Sequence, residues 1–395
     1  MSGITSPVQI PLYIFPVPEG DGFKIGIKAS FDKTNFLMYE FDTGGSGFWA
    51  AGNNNWWPTY TKPSGSSPQT INYSSGIQYT GEPVITEIYF ENGLSISTTV
   101  SRITNATKES DNASSDKAFD SAWVNALTET SPEKPPLWGH FFGDFGMSLA
   151  PFTDKATGIE WFFGILPQLL PPPPSGDSTP SMLNGFIINL AAPVSGRAPS
   201  SYIQIGLAPA DIDNFTLYAM QVPPSPGTQP FPSSNIPTYC EQLLTGYLEL
   251  SPPDAAFSGN EIGIVFDTGA PSAEIHTDAS NAASPTISIS ALDSYLANNI
   301  VYADESVESG KTQASVLTDK EFTLTAGSNT LLQFPVGSES GTNAVSATTL
   351  NLSSAGSGYV NAGLIPFFKG PVLYYFPFDG KGGYGDGQIG FPKQS

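Results

Sequence analysis

The chain has 395 residues, which is long enough for two domains and a large buried core. It contains 40 glycines, 36 prolines and only 13% charged residues, a composition that favours many short strands joined by turns. Its formal net charge of −21 excludes nucleic acids and anionic membrane surfaces as favoured partners. The single cysteine, Cys240, excludes a framework of intrachain disulfides.

The start of the chain and its composition bear on location. No apolar stretch approaches the ~20 residues of a membrane span. The opening segment MSGITSPVQIPLYIF lacks the charged start and cleavage pattern of a signal peptide. Sparse lysine, with abundant serine, threonine, asparagine, glycine and proline, indicates a secreted or extracellular protein in its mature form. A cytoplasmic protein is the alternative, and in either case we expect a monomer.

In the first half of the chain, apolar runs separated by turn residues predict strands over 8–50. The segment INYSSGIQYTGEPVITEIYF (71–90) predicts a β-hairpin with its tip at 74–76. Residues 116–129 predict a short amphipathic helix because their apolar side chains recur at helical spacing. The four prolines at 171–174 predict an extended, exposed segment.

After SYIQIGL (201–207) the chain becomes rich in proline, which predicts a change of lobe. We therefore expect one domain over 1–207 and a second over 208–395. The second half is again rich in predicted strands. Its clearest predicted helix is SALDSYLANNI (290–300), with a serine in the capping position.

One pattern occurs twice, as MYEFDTGGSGFWA (38–50) and GIVFDTGAPSAEI (263–275). Each copy places D-T-G at the end of an apolar run, and Asp42 and Asp267 are 225 residues apart. If the two loops meet, their carboxylates lie about 3 Å apart, cannot both ionise easily, and hold one proton between them. One carboxyl group can then act as a base towards water and the other as an acid towards a carbonyl oxygen, the two roles that amide hydrolysis needs.

Taken singly, each D-T-G is also compatible with an ordinary turn in which Asp and Thr satisfy local backbone donors. The paired occurrence favours a shared site in which Thr43 and Thr268 bond across to the opposite loop. His140 and His276 are too isolated for a metal site, so we expect no metal and no cofactor.

With these motifs the sequence resembles the pepsin-like aspartic proteases along most of its length. FDTGGSGFW resembles the first active-site loop of that family, and INYSSGIQYTG resembles its flap. GDFGMSL (143–149) resembles the hydrophobic–hydrophobic–glycine segment, although Asp144 stands where an apolar residue is usual. The segment 361–392 resembles the closing segment, with Gly363 in the matching turn.

The resemblance implies an all-β, bilobal fold with two pseudo-two-fold-related lobes and a few short helices. It also implies an aspartic endopeptidase in which the Asp42/Asp267 pair activates water, while a flap closes over an extended peptide or protein substrate. The implied active-site loop support consists of Thr43, Gly44, Thr268 and Gly269. The implied flap and substrate-binding residues are Tyr73, Ser74, Gly76, Trp49 and Ser46.

Two of these residues have specific expected roles. Trp49 matches the family tryptophan that bonds to the flap tyrosine, Tyr73. Ser46 either orients the catalytic water or caps a turn.

Two positions depart from the family pattern. Many pepsin-like enzymes follow D-T-G with a hydroxyl residue that bonds to the outer carboxylate oxygen, but this chain has Gly45 and Ala270 there. Loss of both hydroxyls is expected to raise the lower apparent pKa of the pair by about a unit. We therefore expect activity around pH 4–6, and an acid limb that Gly45→Ser with Ala270→Thr moves back to lower pH.

Two other classes of function compete with proteolysis. One is a binding protein on the pepsin scaffold that has lost catalysis, such as the plant inhibitors of glycosidases. The other is a surface or adhesive protein built from two β lobes. The presence of both D-T-G triplets and a flap tyrosine favours the protease, because non-catalytic relatives usually show damage there.

Overall fold

A computed structural model describes residues 4–17, 22–57, 60–73, 75–109, 113–129, 134–150, 182–191, 200–223, 236–251, 261–276, 300–302, 311–316, 320–327, 329–336, 345–350, 358–378 and 384–393. Within these ranges the strands form two sheets, of 13 and nine strands. The same ranges contain three helices: α1 (Ala113–Thr128), α2 (Pro209–Ile212) and α3 (Ile365–Lys369). No helix in the described part of the chain combines the length and apolar character needed to cross a membrane.

The first sheet contains most of the first half of the chain and three strands from the second half. Its strands are β1 (Val8–Pro16), β2 (Phe23–Ser30), β3 (Leu37–Asp42), β4 (Phe48–Ala51), β5 (Gln69–Asn72), β6 (Ile77–Phe90), β7 (Ser95–Lys108), β8 (Gly143–Gly146), β9 (Leu183–Asn189), β10 (Tyr202–Leu207), β11 (Phe215–Ala219), β21 (Val372–Tyr375) and β22 (Gln388–Pro392). Their order across the sheet is β11-β22-β21-β9-β10-β1-β2-β3-β8-β4-β7-β6-β5.

The second sheet is formed entirely from the second half of the chain. Its strands are β12 (Leu244–Ser251), β13 (Glu261–Val265), β14 (Ala273–His276), β15 (Ile300–Tyr302), β16 (Lys311–Val316), β17 (Glu321–Ala326), β18 (Asn329–Pro335), β19 (Val345–Leu350) and β20 (Tyr359–Asn361). Their order is β15-β16-β19-β14-β20-β13-β12-β17-β18.

Burial along the strands follows their position in the sheets. Side chains of β6 alternate between buried and more exposed positions, as expected for a strand with one face on the core. The last four residues of both β3 and β13 are buried without alternation, because these central strands are covered on both faces. The two D-T-G motifs therefore follow strands that are fixed on both sides.

The surroundings of the two motifs are built in the same way. Strand β8 lies between β3 and β4, parallel to β3 and antiparallel to β4. Strand β20 lies between β13 and β14, parallel to β13 and antiparallel to β14. Each D-T-G loop thus connects two strands that are separated by a third strand from later in the chain, which is the pseudo-two-fold relation that the duplicated motif predicts.

The structure bears out several of the predicted elements. The hairpin over 71–90 is present, since β5 and β6 pair antiparallel with Asn72 opposite Gln78. The predicted helix over 116–129 is confirmed as α1, whose Trp123 and Ala126 are buried. The proline run at 171–174 lies outside the described residues, as does 290–299 of the second predicted helix.

The division of the chain at residue 207 stays a prediction. The first sheet continues past that point with β11, β21 and β22, which come from after residue 207. Within this sheet β21, near the end of the chain, pairs with β9 from the first half, and β22 pairs with both β11 and β21.

Candidate active site

The two D-T-G loops are joined by four reciprocal hydrogen bonds. The Thr43 hydroxyl donates to the carbonyl oxygen of Phe266 at 2.7 Å, and the Thr268 hydroxyl donates to that of Phe41 at 2.7 Å. The backbone N–H of Thr43 donates to the Thr268 hydroxyl at 3.0 Å, and the N–H of Thr268 donates to the Thr43 hydroxyl at 2.9 Å. The predicted cross-bonding of the threonines is therefore present, and it holds the two loops in register.

The carboxyl groups of Asp42 and Asp267 are close enough to interact, since the charge of Asp267 raises the pKa of Asp42. Each also accepts a bond from its own loop: Gly44 N–H donates to Asp42 Oδ1 at 2.8 Å, and Gly269 N–H donates to Asp267 Oδ1 at 2.7 Å. A β-carbon on Gly44 would lie 2.6 Å from Asp267 Cγ, and one on Gly269 would lie 2.6 Å from Asp42 Cγ. Both glycines are required because the opposite carboxyl group occupies the space of a side chain.

The surroundings of Asp42 favour its protonated form. Burial raises the pKa of Asp42 well above its ordinary value, and the nearby carboxyl groups of Asp267, Asp144 and Glu40 raise it further. Only 9% of the Asp42 surface is exposed, so solvent screens these interactions weakly. The Asp42/Asp267 pair is therefore suited to hold one proton.

A buried lysine connects the first lobe to the second D-T-G loop. Lys24 Nζ pairs with Glu40 Oε1 at 2.6 Å and also donates to the carbonyl oxygen of Gly269. Burial acts to lower the pKa of Lys24, but Glu40 and the carboxyl groups of the site outweigh it and the pKa is raised. Trp138 Nε1 donates to the second oxygen of Glu40 at 3.0 Å, so both oxygens of the buried Glu40 side chain accept a hydrogen bond.

Tyr73, which was predicted to be the flap tyrosine, has an unexpected hydrogen-bond partner. The Tyr73 hydroxyl donates to Asp144 Oδ2 at 2.5 Å. The indole N–H of Trp49 donates to the carbonyl oxygen of Ser46 at 2.9 Å. The expected hydrogen bond between Trp49 and Tyr73 is therefore wrong for this structure, because a carboxyl oxygen on β8 binds the tyrosine hydroxyl.

The remaining predicted flap and loop residues have more limited contacts. Gly76 has a φ of 79°, which favours glycine, and its N–H donates to the carbonyl oxygen of Tyr73 to close the tip. Ser46 supplies the carbonyl oxygen that binds Trp49, so a role of its hydroxyl in orienting water stays a prediction. Ser74 lies outside the described residues.

Two polar residues beside the aspartates were not assigned a role from the sequence. Asn361 Nδ2 donates to Asp267 Oδ2 at 2.8 Å. Asp144 lies at the corresponding place in the first lobe, only 2% exposed. A β-carbon at Gly45 would lie 2.6 Å from Asp144 Oδ2 and 2.8 Å from Asp42 Oδ2, so a serine there requires these side chains to move, and the expected effect of Gly45→Ser on the acid limb stays a prediction.

Comparison with solved structures gives the fold a known counterpart. The aspartic proteinase from Irpex lacteus is similar to this chain with a TM-score of 0.53, covering 99% of this chain and 98% of that chain at 13% sequence identity. No family model matches the sequence, and no curated protein matches it. The likeness confirms the predicted all-β, bilobal pepsin-like fold, while at this identity it carries no chemistry of its own.

Proposed function

We propose that this protein is an aspartic endopeptidase whose Asp42 and Asp267 activate the water that attacks a peptide bond. The observation that carries the proposal is the reciprocal geometry of the two loops, in which each threonine bonds to the backbone beside the opposite aspartate. Convergence of two carboxyl groups, that of Asp42 buried and that of Asp267 partly buried, has a direct chemical use, since the pair supplies an acid and a base together. The name of the similar structure, an aspartic proteinase, supports the same reading.

The two carboxyl groups have different roles in the proposed reaction. Asp267 accepts bonds from Gly269 N–H at Oδ1 and from Asn361 Nδ2 at Oδ2, so each of its oxygens has a donor. Asp42 has the raised pKa and holds the proton. In the proposed reaction Asp267 takes a proton from water as the water oxygen bonds to the carbonyl carbon, and Asp42 gives its proton to the carbonyl oxygen. The resulting diol then collapses: Asp267 gives the proton that it took from water to the amine as the C–N bond breaks, and Asp42 takes a proton back from a diol hydroxyl, which leaves the carboxylic acid product.

The proposed substrate is an extended segment of a peptide or protein. Strand β5 is the terminal strand of the first sheet, and the tip after it carries Tyr73 towards the aspartates. A peptide that pairs with β5 as an additional strand forms backbone hydrogen bonds, which do not depend on the sequence of the peptide. Nucleic acid is not a proposed ligand, since the net charge of −21 repels it. We propose that the protein works outside the cell, on the same compositional grounds as above, and that it is a monomer.

Mass spectrometry of a digest tests the proposal. The purified protein is incubated with an unfolded protein substrate from about pH 3 to about pH 8, with and without the statine-type inhibitor pepstatin. We expect peptides to accumulate most rapidly around pH 4–6 and pepstatin to abolish them. If no peptides appear at any pH and the protein does not bind pepstatin, the protease is refuted and a non-catalytic protein on this scaffold takes its place.

A further inference from the structure

The strands β8 and β20 place one polar side chain beside each aspartate at the same register. Asp144 on β8 pairs with Glu40, two residues before Asp42. Asn361 on β20 pairs with Val265, two residues before Asp267. Asp144 and Asn361 are therefore equivalent positions of the two lobes.

In the second lobe this position is a hydrogen-bond donor to the aspartate. Asn361 Nδ2 donates to Asp267 Oδ2 at 2.8 Å. The residue that follows that D-T-G is Ala270, which has no hydroxyl to offer. The neighbouring strand thus supplies a neutral donor to the outer oxygen of Asp267.

In the first lobe the corresponding space is filled by a carboxyl group. The point that a β-carbon of Gly45 would occupy lies 2.6 Å from Asp144 Oδ2 and 2.8 Å from Asp42 Oδ2. The two oxygens therefore flank the same small gap, and the absence of a side chain at residue 45 leaves room for them. The Tyr73 hydroxyl donates to the same oxygen of Asp144.

We propose that Asp144 is held as a neutral carboxylic acid whose O–H donates to Asp42 Oδ2, so that it does in the first lobe what Asn361 does in the second. Asp144 is then a positioning residue, which stabilises the singly charged state of the Asp42/Asp267 pair and links that pair to the flap. This inference rests on the proposed aspartic endopeptidase and adds a third carboxyl group to it.

The charges around Asp144 support the neutral form. Burial raises the pKa of Asp144 well above its ordinary value, and the carboxyl groups of Glu40 and Asp267 raise it as well. The hydrogen bond from Tyr73 and the charge of Lys24 act in the opposite direction, but do not outweigh burial. The buried side chain of Tyr79 carries no positive charge that would favour the ionised form of Asp144.

The second oxygen of the group gives an independent argument. Asp144 Oδ1 is buried and has no hydrogen-bond partner among the described residues. In an ionised carboxylate this oxygen would carry half of a buried charge without a donor, which is costly. In the neutral acid it is an uncharged carbonyl oxygen, for which the cost is smaller.

The pH dependence of two variants distinguishes a neutral donor from an ionised neighbour. Asp144→Leu removes a donor if the group is neutral, which raises the lower apparent pKa of the pair and moves the acid limb of kcat/KM up by about a unit. If Asp144 is ionised, the same change removes a negative charge and moves that limb to lower pH, which would overturn the proposal. Asp144→Asn keeps a neutral donor, so its acid limb should move by less than half as much as that of Asp144→Leu.

Matched variants and a spectroscopic measurement complete the test. Asn361→Leu removes the equivalent donor from Asp267 and should also move the acid limb upwards, whereas a merely structural role for Asp144 would lower kcat without moving either limb. Carboxyl ¹³C NMR of aspartate-labelled protein, with Asp144 assigned from its loss in Asp144→Asn, should show this group still protonated well above about pH 4, where an ordinary aspartate ionises. A group that ionises near pH 4 would refute the proposal. The NMR measurement needs no substrate, so its outcome is separate from a failure of proteolysis.

Discussion

Thr43 and Thr268 exchange hydrogen bonds across the two lobes, with each hydroxyl accepting from the N–H of the other threonine and donating to the carbonyl oxygen just before the other's aspartate. Thr268 is completely buried. The four bonds fix the two D-T-G loops against each other at the point where the carboxyl groups emerge. The relative position of the two loops, from which the carboxyl groups project, is therefore set by these four bonds.

Removal of either hydroxyl should destabilise the fold and disturb the site. Thr268→Val keeps the shape of the side chain but leaves the carbonyl oxygen of Phe41 and the N–H of Thr43 without their partner. Each unsatisfied buried group costs about 1–3 kcal/mol, so we expect the free energy of unfolding to fall by at least about 2 kcal/mol. Urea unfolding measures this change, and the exposed Thr70→Val is the matched control with a change within about 0.5 kcal/mol. Equal stability of Thr268→Val and wild type would contradict the role of these bonds.

Gly44→Ala should impair the site without unfolding the protein. Its new β-carbon would lie 2.6 Å from Asp267 Cγ, so the carboxyl group must move away from Asp42. A displacement of about 1 Å at a reacting group lowers the rate by about 100-fold. Gly385→Ala is the control, because its β-carbon meets nothing nearer than 3.7 Å. Peptide hydrolysis and circular dichroism are measured together, and an unchanged kcat/KM in Gly44→Ala would refute the packing argument.

The buried pair of Lys24 and Glu40 should depend strongly on both partners. Lys24→Met leaves the Glu40 carboxylate buried beside two aspartates, with Trp138 as its one remaining donor among the described residues. Breaking a buried pair in this way costs about 3–5 kcal/mol. Adding Glu40→Gln removes the uncompensated charge and keeps an acceptor for Trp138, so the double variant should be more stable than Lys24→Met. A double variant less stable than Lys24→Met by urea unfolding would contradict this.

Stability should fall as the pH rises above about 4. Folding raises the pKa of both Asp42 and Asp144, chiefly through burial, so the folded state binds their protons more tightly than the unfolded state. The free energy of unfolding therefore declines from the ordinary pKa of aspartate, about 4, upwards towards the raised values. Urea unfolding at several pH values should show this decline and a shallower one for Asp144→Asn. A decline of equal slope in that variant would contradict the assignment.

Asp32 provides a control, because its contribution to the free energy of unfolding changes with pH in the opposite direction. Burial acts to raise its pKa, but hydrogen bonds from the backbone N–H groups of Asn35 and Thr34 outweigh this and lower the pKa to about 2. Its contribution to stability is present above about pH 4 and is lost as the pH falls towards 2. Asp32→Asn should therefore alter the acid side of the stability profile and leave the decline above pH 4 unchanged.

The residues predicted from the sequence are those whose signal is local. Asp42 and Asp267 are found from a repeated tripeptide after an apolar run, and helix α1 from the spacing of apolar residues. The partners of Tyr73 and Asp267 depend on the register of β8 and β20, strands that come from far along the chain. Asp144 was visible only as an unusual residue, and Asn361 stands two residues before Gly363, as Asp144 does before Gly146. Lys24 carried a weak signal, a lysine within the apolar run GFKIGIKASF, but its contact with Gly269 requires both lobes.

The rate of peptide hydrolysis by Asp42→Asn and Asp267→Asn tests the central claim most directly. Each substitution keeps the size of the side chain and removes one ionisable carboxyl group, and the exposed Asp213→Asn is the control for an aspartate outside the site. Activity is measured at the optimum pH on an unfolded protein, together with urea unfolding to show that each variant is folded. We expect both site variants to lose at least about 1,000-fold in kcat/KM and the control to retain wild-type activity. Folded Asp42→Asn or Asp267→Asn protein that cleaves peptides at the wild-type rate would contradict the account.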